Sequence, residues 1–244
     1  MSQAGPRSVS IFFGTDRGMP LFLGFLVLTT IVLPVVTLSQ TGRLALSLAF
    51  ALMLIFGSFA TIRHRALIYV VIGLAIATLA MDLMAELALA RRFATLDTSL
   101  RVVVLSIMFG MTLKRTLRPG RIDGYRVLGG IAAYLLIGLT WTFVYQLLIQ
   151  RTPSAIHFEP GVAESLPRQP SHLVYFSFMT LTTVGFGDVH PVTPPARALC
   201  VAEALVGQLY IAILIASLVG MALQERSMEE EGAGKTVSAK PGAG

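Results

Sequence analysis

The sequence predicts an all-α membrane protein with six transmembrane helices. Three observations predict it. Of the 244 residues, 55% are hydrophobic and only 13% charged, where a soluble globular domain carries roughly 25% charged residues. Apolar runs near 20 residues recur along the chain, the length that crosses a hydrocarbon core of about 30 Å as a helix. Lys and Arg sit mostly in the short loops between those runs, which is how membrane proteins carry their basic residues.

The runs place spans at 19–38, 44–62, 66–89, 100–117, 126–149 and 197–223. The first follows Arg7 and Arg17. It is too long for the apolar part of a signal peptide and has no A-x-A-like cleavage site, so it reads as an uncleaved span. The fourth is the shortest. Only Val102 to Leu113 is free of charge, about 18 Å of helix. Arg101 before it, and Lys114 and Arg115 after it, can snorkel to the interfaces and extend it.

With the N-terminus on the cytoplasmic side, 12 of the 19 Lys and Arg fall on inner segments and 7 on outer ones. The positive-inside rule therefore predicts a multi-pass cell-membrane protein with both termini cytoplasmic. The domain plan is a cytoplasmic N-terminus (1–18), a four-helix membrane domain (19–117), a linker (118–125), a second membrane domain (126–224) and a disordered cytoplasmic tail (225–244). The net charge of +6 would suggest nucleic acid as a partner in a soluble protein; here topology accounts for it, and no nucleic acid is expected. The single cysteine, Cys200, lies in an apolar run and excludes an intrachain disulfide.

The outer loop 150–196 is the one long connection. Pro153, Pro160, Pro167 and Pro170 make its first part, Gln150 to Ser171, read as an irregular turret. Ser171 to Leu181 reads as a short helix with Ser171 as its N-cap. Then comes Thr182-Thr183-Val184-Gly185-Phe186-Gly187-Asp188, followed by Val189-His190-Pro191-Val192-Thr193. This stretch resembles the filter and filter exit of the potassium channel family. The resemblance covers roughly residues 126–223: outer helix, pore helix, filter and inner helix.

What the resemblance implies has a physical reason. A potassium ion entering a narrow pore exchanges its water for other oxygens, and backbone carbonyls serve if successive residues point them inward. Glycine visits positive φ without a Cβ penalty, so Gly185 and Gly187 can alternate with Val184 and Phe186. The carbonyls of Thr183, Val184, Gly185 and Phe186 are expected to hold K+, with Gly187 closing the filter and Thr182 and Asp188 supporting it. One loop cannot surround an ion, so a homotetramer follows. Phe186 stands where a tyrosine is usual, and Tyr175 and Phe176 stand where tryptophans are common; these departures bear on filter stiffness more than on selectivity.

The family also places its gating-hinge glycine where Gly207 stands, and Gly207 is expected to serve as that hinge; the alternative is a small residue for helix packing. Met179 occupies a position where some members carry a bracing glutamate. Glu203 is expected to fill that space and to bond Thr180, Thr182 or filter amides. Ile211, Ile215 and either Leu218 or Val219 fall on one helical stripe and are expected to line the cavity. Asp82 and Glu86 lie one turn apart and read best as ion-pair partners of Arg91, Arg92 or Arg101. His157, His172 and His190 read as external loop histidines. The fourth span carries no arginine between Arg101 and Lys114, so strong voltage gating is not expected.

The resemblance thus implies a passive potassium channel subunit without a cytoplasmic ligand-binding domain, with lipids as its surroundings and K+ as the permeating ion. No catalytic constellation, nucleotide loop or metal cluster appears, so neither an enzyme nor a cofactor is expected. The competing readings are a nonselective cation channel, a potassium-uptake transporter subunit, and a nonconducting scaffold subunit.

Overall fold

The computed structural model describes residues 18–32, 40–61, 65–86, 94–117, 124–159 and 170–238. Helix α1 (Gly18–Val27) runs into a π-helical turn, Leu28–Val32. Four long helices follow: α2 (Gln40–Thr61), α3 (Arg65–Glu86), α4 (Ala94–Thr116) and α5 (Gly124–Arg151). Strand β1 (Ile156–Phe158), helix α6 (Pro170–Leu181), strand β2 (Val189–Pro191) and helix α7 (Pro194–Ser238) complete the order.

Each of the six expected spans falls on a helix, though residues 33–38 of the first, 62 of the second and 87–89 of the third lie outside the described residues. Among the described residues, three helices are long and apolar enough to cross a membrane: 94–116, 126–151 and 194–224. Shorter apolar helices cover 18–31, 47–61, 66–82 and 172–181. The fourth span begins at Ala94, six residues earlier than expected. Its first turn carries Asp97, a favourable charge at a helix N-terminus, and Thr98 receives a hydrogen bond from Gln150 Nε2 at 2.9 Å.

Two other expectations change. Helix α7 continues to Ser238, so residues 225–238 are helical where a disordered tail is predicted. Most of that sequence is Glu, Ala, Met, Lys and Arg, good helix formers, and extending an existing helix needs no new nucleus. Ser171 is not the N-cap of α6, because the helix begins at Pro170; a proline at the first helical position has no amide hydrogen to leave unbonded.

The main core joins α1, α2, α3, α4 and α5. Phe22 and Leu26, Met53 and Leu54, Leu105 and Met108 are fully buried in it. At its edge, Arg101 binds Asp82 of α3 at 2.6 Å and Asp97 at 3.0 Å. Its guanidinium lies over the rings of Phe50 and Phe143, 5.2 and 5.5 Å from their centroids. The pairing expected for Asp82 is thus with Arg101; the side chain of Glu86 lies outside the described residues.

The second half packs differently. A cluster of Tyr145, Leu173, Phe176 and Val189 fixes α6 against α5 and β2. A smaller one of Ala133, Ile137, Leu181 and Tyr210 joins α5, α6 and α7. In lipid such contacts hold by packing and hydrogen bonds rather than by the hydrophobic effect. The Tyr210 hydroxyl supplies one, donating to the Gly130 carbonyl at 2.7 Å.

The turret is not wholly irregular. Strand β1 pairs antiparallel with β2, with Ile156 opposite Pro191, His157 opposite His190 and Phe158 opposite Val189. This ladder ties the loop before α6 to the loop after the glycine motif.

Candidate functional site

Helix α6 has 12 residues, too few to cross a membrane, and leads directly into the Thr182–Asp188 motif. Leu173, Phe176, Ser177 and Leu181 form its buried face, the spacing of one side of a helix. Its end is closed by the motif itself. Thr182 N–H donates to Phe178 O at 3.0 Å, Thr183 N–H to Thr180 O at 2.9 Å, and Val184 N–H to Met179 O at 3.0 Å. Such bonds satisfy the carbonyls that a helix end leaves open.

The backbone of the motif alternates in handedness. Thr183, Gly185 and Gly187 have φ of 59°, 52° and 91°. In an ordinary strand successive carbonyls face opposite ways. Placing every second residue at positive φ turns every second peptide over, so successive carbonyls share one side. The two glycines take this conformation without a Cβ penalty. Thr183 does not: a β-branched residue there is an outlier, at a cost on the order of 1–3 kcal/mol. Val184 and Phe186 between them are 52% and 73% exposed within the single chain, so their side chains stand away from it.

Three side-chain contacts brace the motif. The Tyr175 hydroxyl donates to Asp188 Oδ1 at 3.0 Å, joining the start of α6 to the motif's far end. The Gln208 amide approaches Thr183 Oγ1 at 3.5 Å. The Thr182 hydroxyl donates to Phe178 O at 2.6 Å.

Glu203 sits behind this assembly and is fully buried. It does face α6, but its partners are not Thr180, Thr182 or filter amides. Its Oε1 lies 2.6 Å from Ser177 Oγ and its Oε2 accepts from the Tyr145 hydroxyl at 2.6 Å. Ser177 Oγ also lies 2.8 Å from Gly138 O. One carboxyl group therefore joins the outer helix α5, the short helix α6 and the inner helix α7. Tyr145 and Ser177 were missing from the sequence reading. The signal for Ser177 was its place on α6's buried face; for Tyr145 it was a phenol in an apolar span, which needs a partner when buried.

At Gly207 an added Cβ would collide with the Leu181 carbonyl oxygen and lie 2.9 Å from Leu181 Cδ1. Glycine is required there for close approach of α7 to the end of α6. Ile211, Ile215 and Val219 are exposed along one stripe of α7, while Leu218 is half-buried, so Val219 continues the stripe.

The part of the chain that holds these features is the part that matches known proteins. Residues 133–224 match a protein-family model described as an ion channel. Over 93 residues the chain is 34% identical to two pore potassium channel c of Oryza sativa subsp. japonica, a match covering 38% of this chain and 18% of that protein. Residues 133–224 thus resemble an ion-channel domain. The matched segment begins inside α5 and ends in α7, so it contains the motif, its bracing residues and Glu203. The ion-channel match and the long apolar helices make the chain a membrane protein. No solved structure matches it.

Proposed function

We propose that the chain is one subunit of a homotetrameric, potassium-selective channel in the cell membrane, with six spans and cytoplasmic termini. The alternating φ of Thr183, Gly185 and Gly187 carries this reading. Carbonyls turned to one side of a short segment are what a dehydrated cation requires, and Thr183, Val184, Gly185 and Phe186 supply them. Four copies complete the ring. Helix α7 favours assembly: Val201, Leu205, Leu209 and Ile213 each expose more than half of their surface within the single chain. In the tetramer Ile211, Ile215 and Val219 line the cavity below Gly207, and such an apolar ring can gate by dewetting. Reversal potentials of purified protein in liposomes, under opposed K+ and Na+ gradients, test the proposal. A reversal at the sodium potential, or no current, rejects it.

Gating depends weakly on voltage. In α4 Arg101 is 8% exposed and bound to two carboxylates, and no further arginine follows before Arg115. Open probability is expected to change shallowly between strongly negative and positive potentials. A steep curve, equivalent to several charges per subunit, contradicts this.

Glu203 braces the filter from behind. Glu203→Gln preserves the network: the amide oxygen accepts from Tyr145 and the amide nitrogen donates to Ser177 Oγ, whose proton then serves Gly138 O. The variant is expected to conduct like wild type but with altered filter inactivation. Glu203→Leu leaves the Tyr145 hydroxyl only its weak contact with Cys200 Sγ at 3.5 Å and costs about 1–3 kcal/mol per subunit. Single-channel open lifetimes and thermal unfolding in detergent separate the two; unchanged lifetimes in both variants dismiss the brace.

A further inference from the structure

The β1–β2 ladder sets two imidazoles side by side at the outer end of the filter motif. His157 and His190 are direct cross-strand partners, both exposed, with ring centroids 5.0 Å apart. An ion held tetrahedrally by two imidazoles, at about 2.0–2.1 Å from each nitrogen, keeps the ring centres roughly 5 Å apart. The rings are thus at bridging distance.

His190 is also oriented as a metal ligand. Its Nδ1 lies 3.0 Å from Gly187 O. A carbonyl oxygen only accepts, so Nδ1 carries the hydrogen, and in the neutral ring Nε2 presents a lone pair. Metal-bound histidines usually donate their other N–H to a carbonyl or carboxylate in this way. Glu159, beyond β1, is exposed and hydrogen-bonds through its amide to Asp188 O at 3.0 Å. Its charge favours a cation nearby. Among the described residues no three His, Cys, Asp or Glu side chains converge, so water completes the ion's shell.

We propose that His157 and His190 form an external site for a borderline divalent transition-metal ion, Zn2+ or its neighbours Ni2+ and Cu2+. Imidazole suits these ions, whereas Mg2+ and Ca2+ prefer oxygen. The site also bears on conduction, and that part rests on the channel reading. The carbonyl that orients His190 belongs to Gly187, so an ion on Nε2 strengthens the N–H donor and holds the last glycine of the filter in place. The ion's double positive charge beside the outer end of the filter repels incoming K+, so occupancy lowers potassium current.

The test separates binding from conduction. Zn2+ is titrated calorimetrically into purified full-length protein, and K+ flux is measured in liposomes with external Zn2+ and then with chelator. Wild type is expected to bind one Zn2+ per chain, with flux falling and returning on chelation. His157→Ala and His190→Gln should each weaken binding at least about tenfold; the glutamine keeps a donor for Gly187 O, so its effect is not one of folding. His172→Ala should leave binding unchanged. Absence of saturable binding to wild type, or equal binding by both variants, overturns the site. Normal binding with Zn2+-insensitive flux overturns its effect on conduction. Absence of flux under every condition rejects the channel reading, and the calorimetry still decides the site.

Discussion

Gly185→Ala abolishes potassium selectivity or prevents assembly of the tetramer. Gly185 has φ of 52°, and no atom lies within 4 Å of an added Cβ in the single chain. The cost is thus conformational, about 1–2 kcal/mol per residue for an L-residue in the left-handed region. It is repeated in every subunit, so a tetramer bears about four times that, on the order of 4–8 kcal/mol. Backbone that escapes the strain rotates its carbonyl out of line, and the oxygens that replace water are lost. Gly187, at φ of 91°, lies farther from any conformation open to alanine, and Gly187→Ala should be at least as severe. Size-exclusion chromatography reports assembly, and the K+/Na+ reversal potential reports selectivity. An assembled Gly185→Ala tetramer with wild-type selectivity removes this segment as the filter.

The glycine pair was legible because few residues tolerate positive φ, so the backbone requirement is written in residue type. The same logic hides Thr183. A threonine at φ of 59° is held by its surroundings, its amide bonded to Thr180 O, and nothing local in the sequence predicts it. Glu203 was legible as a carboxyl group in need of partners, because a charge in a span is expensive. Its actual partners were not. Which face of α6 meets α7 depends on how the short helix lies, and that rotation brings Ser177 rather than Thr180 to the carboxyl group. Strand β1 has three residues, too few for periodicity to register; its pairing with β2 is a long-range event. The end of α7 misled for the opposite reason. A polar, glycine-bearing tail looks disordered in isolation, but a helix already formed extends through it at little cost.

Arg101→Met sharply destabilises the membrane domain and leaves the voltage dependence as shallow as in wild type. Arg101 is 8% exposed. It joins α4 to Asp82 of α3 at 2.6 Å and to Asp97 within α4 at 3.0 Å, and it stacks on Phe50 of α2 and Phe143 of α5. A single side chain thus contacts four helices. Methionine keeps much of the contact with the two rings but leaves two carboxylates without a cation. Breaking a buried pair in this way costs about 3–5 kcal/mol. The penalty comes from the stranded charges rather than from the value of the ion pair. The triple variant Asp82→Asn, Asp97→Asn, Arg101→Met should therefore recover most of the lost stability. Thermal unfolding of the three proteins in one detergent measures this, and a triple variant no more stable than the single one shows that the ion pair itself holds the helices. The same geometry bears on gating. A gating charge must leave its partners and cross part of the field, gaining about 2.3 kcal/mol per 100 mV. Two carboxylates and two rings hold Arg101 in place against that, so its removal should not flatten a voltage response. If Arg101→Met does reduce the slope of the conductance–voltage curve, Arg101 moves on gating, and the four N-terminal helices sense voltage.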